Sequence, residues 1–144
     1  MRVKTILSSK GDQVMKVSST DSIPTTVEVL KRHNFGALVV SDDGETVTGI
    51  ISERDLVRAL ADQGPRLLDM TVVDLMTRDV QTCGPEDDIE DVMDTMTNGR
   101  FRHMPVVVEG RLVGVISIGD LVKHRMRELV DETKALREYV TDYR

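Results

Sequence analysis

Gly49-Ile50-Ile51-Ser52-Glu53-Arg54-Asp55-Leu56 recurs 65 residues further on as Gly114-Val115-Ile116-Ser117-Ile118-Gly119-Asp120-Leu121. Glycine, two aliphatics, serine, two variable residues, aspartate and leucine stand in the same order both times. A chain of 144 residues holds two units of this period and little besides, so the repeat is read before anything else. In each copy the aliphatic pair suits a strand. Ser-x-x-Asp suits a helix start, because serine and carboxylate can cap each other's backbone N–H groups.

The likeness extends to both sides. Ser19-Thr20-Asp21-Ser22-Ile23 and Pro85-Glu86-Asp87-Asp88-Ile89 each place capping residues ahead of an i, i+4, i+7 apolar face. The faces are Ile23, Val27, Leu30 and Ile89, Met93, Met96. Pro24 fits because the first turn needs no N–H there. Aliphatic strands follow at 37–40 and 104–108, then hairpin signals at Asp42-Asp43-Gly44 and Glu109-Gly110, then returning strands at 47–51 and 112–116. The helix opened by the first Ser-x-x-Asp carries Leu56, Val57 and Leu60 and stops at Gln63-Gly64-Pro65, since proline cannot continue it. Its counterpart runs on through Leu129, Leu136 and Val140. A short lead-in also repeats, residues 3–7 against 72–76.

The expected organisation is α/β (α+β): repeat 1 over 1–63, a linker over 64–71, repeat 2 over 72–128 and a helical tail over 129–144. Units of about 60 residues bury only a marginal core. The two are therefore expected to pack sheet to sheet about a pseudo-twofold axis, to share one core, and to leave two clefts where strand ends meet.

Composition narrows the function. Net charge is −6 and aromatics are 3% with no Trp, which argues against phosphate neutralisation along a nucleic acid and against base stacking. No apolar run approaches the 18 residues of a membrane span and no signal peptide is visible, so the chain reads as soluble and cytoplasmic, with no membrane partner. Cys83, the single cysteine, reads as a small buried hydrophobe. His33, His103 and His124 have no metal-ligand spacing, and no nucleophile elbow or phosphate loop is present. The chain reads as a non-enzyme.

Each candidate site has a structural reading beside a functional one. Ser52/Asp55 and Ser117/Asp120 serve as caps, or the serine donates to a phosphate while the aspartate accepts from a ribose diol at a helix N-terminus. Arg102-His103 are a solvated basic pair, or a phosphate clamp in the second cleft. The first cleft has Gly36-Ala37 at the matching positions and only Arg54 as a cation. Lys10-Gly11 are a solvated loop, or they close a cleft. The basic run Lys123, His124, Arg125, Arg127 is followed by Glu128, Asp131 and Glu132 and reads as a solvated face. In the tail, Leu129, Thr133, Leu136, Val140 and Tyr143 recur at spacings of 3 or 4, a partner-facing stripe suited to a homodimer.

The two copies, with Arg102-His103-Met104-Pro105-Val106 ahead of the second, resemble a tandem pair of CBS domains, a Bateman module, over roughly residues 3–128. The chain is most similar to small stand-alone CBS-pair proteins. The resemblance implies β-α-β-β-α units paired through their sheets, disc-like dimers, and clefts for adenosine-containing ligands (AMP, ADP, ATP, NAD(H) or S-adenosylmethionine). It implies Asp120 and Asp55 on ribose hydroxyls and Ser117 and Ser52 on ribose or phosphate. It further implies Arg102 and His103 on phosphate, Met104 and Pro105 flanking adenine, and Lys10 and Gly11 closing the second cleft. The expected function is regulatory: occupancy is passed to a dimer or partner surface. The alternative is an interaction module with vestigial clefts.

Overall fold

The computed structural model describes residues 1–10 and 14–142. In chain order it runs α1 (Val3–Lys10), β1 (Lys16–Val17), α2 (Ile23–His33), β2 (Ala37–Val40), β3 (Gly49–Ser52) and α3 (Glu53–Gln63). A 3-10 turn at Gly64–Asp69 leads to α4 (Val72–Leu75), α5 (Ile89–Gly99), β4 (His103–Val108), β5 (Arg111–Ser117) and α6 (Ile118–Asp142). In the first half β1 lies parallel to β2, which pairs antiparallel with β3. In the second, β4 and β5 pair antiparallel, and a single bridge from Cys83 to Val106 stands where β1 would.

Local chemistry sets these elements. Ser22 accepts from Thr25 N–H and Asp88 from Glu90 N–H, capping α2 and α5. Ser52 and Asp55 form the reciprocal capping box of α3. Glu109 and Gly110 both have positive φ, 51° and 80°, as the tight two-residue hairpin demands. In the first half, Asp43 Oδ1 instead accepts from the N–H groups of Glu45 and Thr46 at 2.8 and 2.7 Å. That turn draws Val47 out of the ladder, so the returning strand starts at Gly49 rather than at 47.

The buried faces differ from the expected stripes. On α2, Ile23 and Leu30 face inward but Val27 is 44% exposed. Thr26 takes the inner place, with its hydroxyl donating to Ser22 O at 2.9 Å. On α5, Val92 is buried beside Ile89 and Met96, and Met93 packs at their edge. On α3, Leu56 and Ala59 are buried, whereas Val57 is 67% exposed and Leu60 also faces solvent.

Two cores form, not the single one expected, and the lead-ins cross between them. Val72 and Met76 pack with Val17, Ile23, Leu38, Val40, Ile51 and Leu56 of the first half. Val3 and Ile6 pack with Ile89, Met96, Met104, Val106, Ile116 and Leu121 of the second. Matching backbone bonds anchor the exchange: Val3 N–H to Asp87 O at 3.0 Å, and Val72 N–H to Asp21 O at 2.9 Å. Full burial of a Val or Ile is worth about 1.5–3 kcal/mol, so each lead-in helps stabilise the half it visits. The repeat glycines make room for it. A Cβ on Gly49 would lie 2.8 Å from both Met76 Sδ and Thr77 O, and one on Gly114 would lie 2.6 Å from Leu7 Cδ2. No helix of the described residues is long and apolar enough to cross a membrane.

Candidate functional site

A cavity of about 460 Å³ opens where the first Ser-x-x-Asp meets the second half. β3 delivers Ser52 to the N-terminus of α3. Asp55 Oδ2 accepts from Ser52 N–H at 2.9 Å and from Ser52 Oγ at 3.0 Å. Asp55 Oδ1 takes no hydrogen bond from any described residue. The segment after α4 supplies the opposite wall: Thr77 exchanges backbone bonds with Ile50 at 2.9 and 3.0 Å, and Asp79 and Gln81 line the cavity.

Arg102 and His103, expected in the second cleft, line this first cavity together with Arg54, Arg58 and Arg100. The physical reason is Gly36. Its missing side chain lets the start of β4 approach, so that a Cβ there would be 3.1 Å from His103 Cε1. The bare Gly36-Ala37 therefore does not leave the first cleft without cations, because the other half lends them. Arg54 Nη1 donates to Arg100 O at 3.2 Å, joining the halves. The guanidinium groups of Arg58, Arg100 and Arg102 have no hydrogen-bond or ion-pair partner among the described residues. Three guanidinium groups without a partner round one cavity are chemistry that can take an anion, although the carboxylates of Glu53, Asp55 and Asp79 line it too.

Burial holds His103 below its ordinary value of 6.5, and the nearby Lys10 cation adds to the effect; Asp120 and Glu53 oppose it. Burial and Lys10 both favour the neutral imidazole, and the charges that act on it come from both halves: Lys10 and Asp120 at the second Ser-x-x-Asp, Glu53 and Arg102 at the first cavity.

The second Ser-x-x-Asp differs. Ser117 N–H donates to Asp120 Oδ2 at 2.9 Å, repeating the cap. The same Oδ2 accepts from Lys10 Nζ at 2.7 Å, and Lys10 also donates to Val115 O at 2.9 Å. Burial by itself would raise the Asp120 pKa. The hydrogen bonds from Lys10 and Ser117 outweigh it and hold the carboxyl below its ordinary value. Lys10 thus reaches the second Ser-x-x-Asp, while Gly11 lies outside the described residues. Met104 does not flank a cleft: it is 1% exposed in the second core, and Pro105 is buried beside it. Strand alternation gives the reason, since Met104 and Val106 point to the same inner face.

Two of the cavity's arginines, and the wall formed by Thr77, Asp79 and Gln81, were missed from the sequence. Arg58 stands one helical turn after Arg54, so i, i+4 spacing could have found it. Arg100 sits in the left-handed cap of α5 at φ 57°, and nothing local in the sequence announces that geometry. Cys83 is buried, and burial pushes its thiol up to about 12. Among the described residues no cluster of three His, Cys, Asp or Glu could hold a metal ion.

The CBS domain family model matches the chain twice, over residues 3–62 and 72–127. A curated relative, the mitochondrial CBS domain-containing protein CBSX3 of Arabidopsis thaliana, is 33% identical over 96% of this chain and 71% of its own length. Among solved structures, the CBS-domain containing protein ATU1752 of Agrobacterium tumefaciens is 46% identical, with a TM-score of 0.84 over 87% of this chain and 99% of that one. Two more distant pairs, each 26% identical, were solved with ligands. MJ0100 was solved with 5-methylthioadenosine and S-adenosylmethionine (TM-score 0.79, 89% of this chain and 98% of that one). PAE2072 of Pyrobaculum aerophilum was solved with AMP (TM-score 0.72, 83% and 89%).

Proposed function

This chain belongs to the CBS-domain family, and from that premise we propose that it is a non-catalytic regulatory module that binds a phosphate-bearing adenosine ligand. AMP, ADP, ATP and NAD(H) fit that description. The observation that carries the reading is the cavity at Ser52–Asp55, which is lined by a carboxylate with one free oxygen and by three unpaired arginines. Asp55 Oδ1 would accept from the ribose hydroxyls. Ser52, at a helix N-terminus, would sit by ribose or phosphate. Arg54, Arg58, Arg100 and Arg102 would take the phosphates, with neutral His103 as a further donor or acceptor. S-adenosylmethionine, with a cationic sulfonium in place of phosphate, suits these arginines less well.

In the second cleft Ser117, Asp120 and Lys10 form the corresponding set. A ligand there must first draw Lys10 from Asp120, after which the freed ammonium can meet a phosphate. Occupancy would pass along α6, which is continuous from Asp120 to the tail, towards a homodimer or partner surface. A ligand shifts such an equilibrium only by its differential affinity for the two states. The protein is proposed to act in the cytoplasm, without nucleic-acid or membrane partners.

The Lys10–Asp120 pair supports a second reading for that cleft alone: it is vestigial and closed by its own salt bridge. A thermal-shift titration of nucleotide-free protein with AMP, ADP, ATP, NAD, S-adenosylmethionine and GMP tests both readings. A ligand at 100 times its Kd stabilises by about 2.7 kcal/mol. The adenosine phosphates should raise Tm by several degrees and GMP should not, and Arg58→Ala should reduce the rise. No shift with any of them would leave an interaction module as the better account.

A further inference from the structure

We propose that the outer half of α6 pairs with the same helix of a second copy as a parallel, in-register, two-stranded coiled coil. This deepens the dimer in the reading above and rests on it, but not on any ligand.

Every residue of α6 from Leu129 to Asp142 is exposed, and Leu121 is the helix's one buried residue. About 14 residues thus stand clear of the body as a single helix. A helix of that length is marginal by itself in water, so a covering surface is needed to keep it helical.

The exposed apolar residues specify that surface. Val122, Met126, Leu129, Thr133, Leu136 and Val140 follow one another at spacings of 4, 3, 4, 3 and 4, a 3.5-residue period rather than the 3.6 of a helix lying on a globular core. Leu136 is 62% exposed and Val140 is 50% exposed. In heptad terms Met126, Thr133 and Val140 take position a, and Val122, Leu129 and Leu136 take position d. In the outer heptads β-branched Thr133 and Val140 at a stand with Leu129 and Leu136 at d, the pattern that favours two strands in a parallel coil; Met126 and Val122 at the inner end depart from it.

Charge agrees with that choice. Glu132 falls at g and Arg137 at e of the next heptad, where a parallel partner's Arg137 comes beside Glu132. Neither has an ion-pair partner among the described residues of its own chain. An antiparallel pair would set the e edge, Lys123, Val130 and Arg137, against itself. The seam spans fewer than three heptads, so its start at Val122 and Met126, beside buried Leu121, has to hold the first turns in register.

The test uses the full chain carrying Leu136→Cys at the seam, with Glu138→Cys on the outer face as control. Cys83 is buried and stays out of the reaction. Light scattering of the unmodified chain should give the mass of two copies at tens of micromolar. Mild oxidation should link Leu136→Cys into a disulfide dimer at least ten times faster than Glu138→Cys, because a parallel, in-register pair sets residue 136 against itself and holds residue 138 outward. Leu129→Asp with Leu136→Asp should weaken the dimer by more than tenfold and leave the nucleotide thermal shift in place. A monomer would overturn both the dimer and the coil. A dimer in which the two cysteine variants link equally slowly would overturn the coil alone. The ligand reading stands or falls separately, on the titration.

Discussion

Replacing Gly49 with alanine should cost far more than the same change at Gly114, although the two glycines head equivalent copies of one motif. At Gly49 the new Cβ would stand 2.8 Å from Met76 Sδ and 2.8 Å from Thr77 O, well inside the roughly 3.5–4.0 Å of a comfortable contact. Met76 can turn away. Thr77 O cannot move without loosening its paired bonds with Ile50. Overpacking of this kind costs about 1–3 kcal/mol, and a weakened backbone bond adds about 0.5–1.5 kcal/mol. The stiffer unfolded chain returns about 0.4–1 kcal/mol. The net loss is about 0.5–4 kcal/mol by these terms, centred near 2. With an unfolding entropy of about 2.1 cal/mol/K per residue, a chain of 144 residues should lose about 2–14 °C in Tm, centred near 7 °C. At Gly114 the obstacle is the tip of the Leu7 side chain, 2.6 Å away, which can change rotamer at a cost of about 1 kcal/mol or less. Thermal unfolding of both variants by circular dichroism reads the difference directly. A Gly49→Ala protein within 1 °C of the parent, or a larger loss for Gly114→Ala, would refute the reasoning.

Lys10→Ala removes a hydrogen bond and a cation that hold Asp120 below its ordinary 3.8 against burial. The Asp120 carboxyl should therefore titrate at higher pH in the variant by NMR, and acid unfolding should begin earlier, because a lowered carboxyl gives stability that disappears as pH falls through its native pKa. His103 works with the same sign through the opposite charge change. Its pKa is lowered from 6.5 by burial, so below pH 6.5 the unfolded chain takes up a proton that the folded chain still refuses. Stability should fall as pH drops from 6.5 towards the native value, and His103→Gln should flatten that part of the stability curve in urea titrations. Cys83, with its thiol pushed up to about 12 by burial, should resist a thiol reagent at pH 8 in the folded protein and react at once in guanidinium.

Elements with short-range causes were legible in the sequence. Ser22, Ser52 and Asp88 cap helices within three residues of themselves, and Glu109-Gly110 turns a hairpin within two. What depends on distant neighbours was not. Nothing near Val27 or Thr26 says which one the sheet will cover. Residues 3–7 open the first repeat, yet their apolar faces are satisfied by the second. Arg102 and His103 sit beside the second motif in sequence, and the small Gly36 draws them to the first. The cavity at Ser52–Asp55 was thus half visible: its capped carboxylate and Arg54 could be read, but the arginines supplied by the other half could not.

The exchange of lead-ins makes the two halves unable to part cleanly. Cutting the chain between residues 63 and 72 would give two pieces, each carrying the helix that closes the other's core. Such fragments should be poorly folded apart and should recover structure when mixed. During synthesis the first half waits for Val72 and Met76 to emerge before its core closes. The second is then sealed by Val3 and Ile6, made long before. Two chains that swap these helices would be interlocked with every native contact kept, so a crowded refolding mixture has a ready route to swapped pairs.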